Sequence, residues 1–501
     1  MKIACILPDS ISEFREYGLK NYDKMMQMPL LELMLLELGH DVVCFDFLSA
    51  EGSEQKNILN GLRSYKADVW VVCVHFCLKD LKLFINSIFD GFSYKPFIIC
   101  YGTGVLDWET ALRIVSEINV VVPMVSIETV VDCIGVVNDS TSLDSVTGIA
   151  YRRVDDIIFS RRISNNFCEI IKKNPLEKCI SAVNPKEAYL WGSCGCWYGK
   201  CTFCNVAAMQ GNYEKAGWIG RAVNDVVQEM VELYKLGVRQ IMFLDPEFIG
   251  PGEVGNERAK DFAKQLQGAG ISLKFMFSCR ADGVDKKLFS MLQQAGLDRV
   301  FLGIESGSPR ALNLYEKGLT IKTIENAIHV LQELKIKFRC DLMLANPHSN
   351  LEEIFESLNF IKKMRLSSNL NMHGVGSIFH RLHMHAGTPL FDLFATEEDR
   401  IQGLEIENIF FDTHVAEFYE FAMRIDRYLD QCMQQFSKYK FTQVVSMGYV
   451  SYMKIVSLSI LIGIVKDYIE NADAHLLKER IYLKFKHLRE LEQRYIERIL
   501  V

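Results

Sequence analysis

Four cysteines fall within eleven residues, in the run Gly192-Ser193-Cys194-Gly195-Cys196-Trp197-Tyr198-Gly199-Lys200-Cys201-Thr202-Phe203-Cys204. Gly195 and Gly199 let a short loop fold several thiolates inward around one centre. Thiolates are soft ligands that select zinc, copper(I) or iron–sulfur clusters. A structural zinc site takes four ligands, usually from two knuckles well apart in sequence. No second Cys-x-x-Cys follows, and Cys279 and Cys340 stand alone in strand-like runs. Ligation by Cys196, Cys201 and Cys204 would leave one iron of a [4Fe–4S] cluster open to a substrate or cofactor, whereas four thiolates would close it. Cys194 competes with Cys196 for the first position.

Around this loop the chain alternates strand and helix patterns, which predicts α/β architecture with parallel sheets. The first series has strand runs at residues 2–7, 41–47, 68–74, 96–100 and 119–122. Helical patterns at 29–38, 81–88 and 108–118 separate them. Parallel sheets bind ligands beyond the carboxyl ends of their strands. Tyr101-Gly102-Thr103-Gly104 follows one such end, where Gly102 and Gly104 would admit a large ligand to the backbone; a tight turn accounts for them equally. A hairpin at 148–152 and 157–161, around Val154-Asp155-Asp156, lies in a connecting segment.

The second series has strand runs at 188–191, 240–244, 273–278, 299–304, 338–344 and 371–379. Helical patterns at 223–236, 257–268, 286–295, 321–334 and 351–364 fall between them. Six strands in this rhythm predict a partial (β/α)6 barrel with its chemistry at the carboxyl strand ends. Beyond Pro389 the pattern is helical and aromatic, with Phe410, Phe411 and Tyr419 read as core. The expected division is a Rossmann-like domain over 1–140, a connecting segment over 141–185, the barrel over 186–390 and a helical C-terminal domain over 391–501.

The 501 residues are 49% hydrophobic and 24% charged, with a net charge of −7. This excludes a disordered chain and gives no basic excess for nucleic acid. The longest apolar stretch, 455–465, is interrupted by Ser457, Ser459 and Gly463. It is read as a buried helix, too short to span a bilayer. Fifteen cysteines without an export signal predict reduced thiols and a cytoplasmic protein.

The cysteine loop resembles that of the radical SAM superfamily, whose usual spacing is Cys-x3-Cys-x2-Cys with an aromatic residue before the third cysteine, here Phe203. The first gap departs from it, enclosing four residues instead of three. Residues 1 to about 390 resemble the branch with an N-terminal cobalamin-binding-type domain. Val238–Phe248, with Asp245 and Glu247, is similar to the strand whose polar end receives the amino group of SAM. Ser278-Cys279-Arg280-Ala281-Asp282 resembles a block in which Arg280 would take the SAM carboxylate, or would pair with Asp282 instead. Gly303-Ile304-Glu305-Ser306-Gly307 is similar to a block whose Glu305 would accept ribose hydroxyls. Lys317-Gly318 and Thr320 match a following turn, with Thr320 expected as a helix cap. At the fifth strand, Asn346-Pro347-His348 replaces a glycine-rich family turn. Ala386-Gly387-Thr388-Pro389-Leu390 resembles the segment closing the barrel.

The resemblance implies a [4Fe–4S] cluster held by Cys196, Cys201 and Cys204. It implies SAM bound near Phe203, Asp245, Glu247, Ser278, Arg280 and Glu305, and cobalamin near Gly102 and Gly104. The cobalt-ligating motif Asp-x-His-x-x-Gly is absent; His40 and His75 lie outside such a pattern, and a family glycine-rich turn reads Val125-Ser126-Ile127-Glu128-Thr129. The implied activity is cobalamin-dependent C-methylation of an unactivated carbon in natural-product or modified-peptide biosynthesis, with flavodoxin or ferredoxin as reductant. The alternative is rearrangement, cyclisation or oxidation without methyl transfer. No nucleic-acid or membrane partner is expected.

Overall fold

A computed structural model describes residues 1–8, 28–47, 50, 52–74, 78–89, 94–123, 127–153, 156–161, 176–181, 184–211, 217–366, 382, 384–402, 410–437, 443–470 and 474–500. The expected strand at 371–379 lies outside the described residues, as do His75, Val125, Ser126, Val154 and Asp155. The chain divides into two compact units. One comprises Met1–Phe277, Gln294–Leu297 and Met384–Ile406; the other comprises Ser278–Gln293, Asp298–His383 and Glu407–Val501.

The first unit opens on a sheet of strands β1 (Lys2–Leu7), β2 (Asp41–Asp46), β3 (Val69–Cys73), β4 (Phe97–Tyr101), β5 (Val120–Val122), β6 (Ile149–Arg153) and β7 (Asp156–Ser160). Their order is β2-β1-β3-β4-β5-β6-β7. The first five are parallel, and β6 and β7 add an antiparallel hairpin at the edge of β5. The hairpin read as part of a connecting segment thus extends this sheet. Strand β3, Val-Trp-Val-Val-Cys, is buried throughout, as expected of a parallel strand covered on both faces. Ala4, Ile6, Trp70, Val72, Ile98 and Cys100 form one face of the core.

Helix Trp108–Ile114 begins at Asp107, whose side chain accepts from the Thr110 N–H. It ends four residues before the apolar pattern does. Arg152 explains the stop: its guanidinium donates to the carbonyls of Leu112, Val115 and Ile118. The helices Ser53–Tyr65 and Ile127–Asp139 were not anticipated.

The same unit continues with β8 (Glu187–Leu190), β9 (Ser193–Cys194), β10 (Ile219–Gly220), β11 (Gln240–Phe243) and the start of β12 (Lys274–Arg280). Strands β8, β11 and β12 are parallel neighbours. Phe243, Phe248, Phe262, Phe275 and Phe277 pack edge-to-face and stacked behind them, in the offset geometries that aromatic quadrupoles favour.

The second unit holds Ser278–Arg280, the end of β12, and the parallel neighbours β13 (Leu297–Glu305) and β14 (Lys337–Leu342). Helices Ile321–Glu333 and Leu351–Lys363 begin at Thr320 and Asn350, whose side chains accept from the N–H three residues on. Helices Thr413–Ser437, Gln443–Glu470 and Ala474–Leu500 complete the unit, with Leu351–Lys363 packed on Gln443–Glu470. Phe418, Phe421, Leu458, Leu461, Ile464 and Val465 are buried among them. Among the described residues no helix is long and apolar enough to cross a membrane.

Candidate active site

The cysteine loop leaves the carboxyl end of β8 through Trp191 and Gly192. Its entry is a short ladder in which Cys194 stands opposite Ile219. Gly195 has φ +76° and Gly199 φ +58°, both left-handed, a region costly for residues with a Cβ. A Cβ on Gly195 would stand 2.4 Å from the Gly217 carbonyl oxygen, so the loop folds only with glycine there. Cys201 is buried and Cys196 and Cys204 are partly exposed, as is Phe203. The Cys204 N–H donates to the Cys201 carbonyl, and the Cys204 carbonyl accepts from Ala208, starting helix Asn205–Gly211.

Among the described residues no three His, Cys, Asp or Glu side chains lie close enough to share one metal ion. A cubane makes a different demand, since each thiolate binds its own iron. The three soft donors on a glycine-folded loop fit such a cluster. No described cysteine is in a disulfide.

Asp245, just past β11, is fully buried and takes two bonds from the turn that launches the loop. One oxygen accepts from the Gly192 N–H at 2.9 Å and the other from the Ser193 hydroxyl. Burial raises its pKa to about 6, against the lowering effect of these bonds and of Arg258. Glu247 turns inward on its own loop, accepting from Ile249 N–H at 3.2 Å and Gly250 N–H at 2.7 Å. Of the two carboxylates expected as acceptors for a ligand ammonium, that of Asp245 supports the root of the cysteine loop, while that of Glu247 shapes its own turn and only its backbone carbonyl accepts from the Ser193 hydroxyl.

Two residues missed in the sequence strengthen this foundation. Arg221 is buried and grips Glu229 with both nitrogens while donating to the Trp191 carbonyl. Arg258 donates to the carbonyls of Gly192, Arg221 and Phe248. Neither sits in a motif, so only the fold reveals them.

Segment 384–406 belongs to the same unit. Thr388 caps helix Pro389–Phe394, and the Leu390 N–H donates to the carbonyl of Thr202, inside the cysteine loop, at 2.9 Å. Gly387, at φ +83°, lies where a Cβ would meet the Leu106 Cβ at 2.7 Å. Arg400 pairs with Asp107 and Asp392, and Arg113 with Glu397. Leu106 and Asp107 follow directly on Gly102 and Gly104. Gly102, at φ +120°, ends β4, and the Gly104 N–H returns to the Val74 carbonyl at 2.9 Å.

In the second unit the end of β12 carries Ser278, partly exposed, and Arg280, buried. Arg280 forks onto Asp282 through Nε at 3.0 Å and a terminal nitrogen at 2.9 Å, which also donates to the Lys317 carbonyl at 3.0 Å. The structural pairing foreseen for Asp282 is present. Glu305 ends β13 with φ +62°, beyond a register shift after Gly303. A left-handed glutamate is strained backbone of the kind found at functional sites. Its carboxylate accepts from the Lys317 ammonium at 2.7 Å, and both side chains are buried. In the sequence Lys317 reads only as part of a turn.

Asn346 is buried and bonded to its neighbours: it donates to Glu353 and Tyr315 and accepts from the His348 N–H. Burial raises the pKa of Glu353 despite hydrogen bonds from Ser349 and Asn346 and the charge of Arg310. His348 is exposed, its ring 4.8 Å from that of Phe411.

Residues 192–361 match the family profile described as the Radical SAM superfamily. The chain carries a radical SAM domain. An uncharacterized methyltransferase of Pyrococcus horikoshii is 27% identical over 171 residues, covering 34% of this chain and 35% of that protein. The 4′-phospho-dehydrooxetanocin synthase of Priestia megaterium is 26% identical over 259 residues, covering 46% of this chain and 34% of its own. The match thus spans about a third of each of these curated relatives. The fold extends over more of the chain. The solved structure of the cobalamin-dependent S-adenosylmethionine radical enzyme OxsB, with aqua-cobalamin and S-adenosylmethionine bound, superposes with a TM-score of 0.75 at 17% identity. It covers 99% of this chain and 80% of that one. The chain therefore shares the fold of that structure.

Proposed function

We propose that this radical SAM enzyme is cobalamin-dependent and methylates an unactivated carbon of a small molecule or peptide in natural-product or modified-peptide biosynthesis. The observation that carries the reading is the parallel sheet of order β2-β1-β3-β4-β5, a nucleotide- and cofactor-binding order, standing ahead of a radical SAM domain. The methyltransferase name of the Pyrococcus relative supports it. Cys196, Cys201 and Cys204 would hold the cluster. The Gly102–Gly104 turn, free of a side chain at its left-handed position, would admit a corrinoid to the sheet edge. When bound, the cluster and SAM supply a 5′-deoxyadenosyl radical and cobalamin supplies a transferable methyl group.

The protein's own residues orient and exclude water. Asp245, Arg221 and Arg258 hold the root of the loop. Arg280 and Lys317 are proposed to present positive charge to the carboxylate of SAM, and Glu305 to accept from its hydroxyls. Flavodoxin or ferredoxin is the proposed reductant.

A second reading is rearrangement, cyclisation or oxidation without methyl transfer. The Priestia synthase, whose name carries no methyl transfer, favours it. Anaerobic reconstitution with methyl-deuterated SAM, and with small-molecule and peptide fractions of the source cells, separates the readings. Bound corrinoid, 5′-deoxyadenosine and label in a product support the first. Deoxyadenosine with an unlabelled product supports the second. Loss of both corrinoid binding and SAM cleavage sinks both.

A further inference from the structure

We propose that Gln210 is the positioning residue of the cluster loop, fixing the backbone of Cys196 so that this thiol meets the cluster. The inference rests on the loop binding a cluster, as proposed above, and adds a residue that lies outside the cysteine motif. Gln210 sits near the end of helix Asn205–Gly211, which Cys204 starts. Its Nε2 reaches back to donate to the Cys196 carbonyl at 2.9 Å. The three cysteines are thereby closed into one hydrogen-bonded ring: Cys201 to Cys204 through the backbone, Cys204 to Gln210 through the helix, and Gln210 to Cys196 through the amide.

A second observation concerns the glycines. A Cβ on Gly195 would stand 2.8 Å from Gln210 Nε2, and one on Gly199 would stand 2.7 Å from its Oε1. The amide occupies the space both glycines leave open. A third is that Oε1 is buried and accepts no hydrogen bond. A buried, unsatisfied acceptor is unfavourable, so the side chain is not placed here to satisfy itself; the bond from its nitrogen to the Cys196 carbonyl holds it. Cys194, by contrast, stands in the ladder opposite Ile219.

The test compares Gln210→Ala and Gln210→Met in the full chain. Amide hydrogen exchange of residues 195–204 is read before reconstitution, and the electron paramagnetic resonance of the reduced cluster after it. In Gln210→Ala, loop protection falls about tenfold, the factor one lost hydrogen bond is worth, and the cluster signal changes in shape. Methionine has about the length of glutamine and donates no hydrogen bond. A companion variant, Gln210→Met, therefore matches Gln210→Ala in loop protection. A space-filling role predicts wild-type protection for Gln210→Met. That result, or unchanged exchange in Gln210→Ala, overturns the proposal. Exchange is measured without the cluster, so if Cys201→Ala retains its iron the cluster reading fails while the result for Gln210 stands.

Discussion

At the scale of single residues, the site is built on buried charge, and its energetics follow from how each charge is satisfied. Lys317 and Glu305 form a buried ion pair at 2.7 Å. Removing one partner of such a pair leaves the other charged and desolvated, which costs about 3–5 kcal/mol. Lys317→Met is expected to destabilise by that amount in urea unfolding, and Lys317→Met combined with Glu305→Gln to recover most of it. A double variant no better than the single one would show that the pair is not the source. Asp245 gives a pH dependence of definite sign. Its folded pKa, about 6, lies above the ordinary 3.8 because burial disfavours the carboxylate. The folded state therefore holds more protons than the unfolded state between about pH 4 and 6, and stability from this group falls as pH rises through that window. Two pKa units correspond to roughly 3 kcal/mol. The stability margin of the wild type over Asp245→Asn should thus be larger at about pH 4 than at about pH 7, as read from urea midpoints at each pH. The cysteines were legible because thiols at this density have few uses. Arg280 was legible together with its partner Asp282, two residues on; Asp245, Glu247 and Glu305 were legible as positions only, since a carboxylate's hydrogen bonds to Gly192 or Gly250 come from backbone that folding shapes.

At the scale of elements, periodicity located most strands to within a residue or two, because buried parallel strands are short unbroken apolar runs bounded by turns. It failed where chain chemistry rather than pattern set the boundary. Helix Gly252–Gly268 begins five residues before the expected start; Gly252 and Gly255 hide its first turn from any propensity argument. Helix Ser53–Tyr65 buries only Leu62, too narrow an apolar face to stand out from a loop. The contact between β13's exit and helix Leu351–Lys363 shows an element held by the absence of a side chain. A Cβ on Gly307 would come 2.5 Å from the Cβ of Phe360 and 3.0 Å from the Cα of Ser357. Backbone-close atoms cannot swing aside as a long side chain can. Gly307→Ala is expected to lower stability by about 1–3 kcal/mol through overpacking, and trimming Phe360 to alanine should not rescue it, because the clash is with the Cβ that alanine keeps. Rescue by Phe360→Ala in thermal unfolding would refute the contact.

At the scale of the whole molecule, the fold holds two places where glycine geometry opens the backbone to a large group, and they predict separable losses. Gly102 ends β4 at φ +120°, a conformation that a β-branched residue adopts only with strain. Gly102→Val would therefore distort the turn proposed for the corrinoid while leaving the cysteine loop's own supports, Asp245, Arg221 and Arg258, untouched. Cys201→Ala would remove a cluster ligand and leave the parallel sheet intact. The expected outcome is a crossed pattern: Gly102→Val loses corrinoid yet retains iron, sulfide and reductive cleavage of SAM, whereas Cys201→Ala loses iron and cleavage yet still takes up corrinoid. Metal analysis, corrinoid absorbance and 5′-deoxyadenosine measured on both variants check it. If Gly102→Val keeps its corrinoid, the cofactor is not held at this turn. Segment 384–406 bonds to Thr202 within the cysteine loop and packs on Leu106 beside the glycine turn. Gly387→Ala, which crowds Leu106 directly, is therefore expected to disturb the Leu390–Thr202 bond and lower iron content with Gly102 intact, as metal analysis of that variant checks.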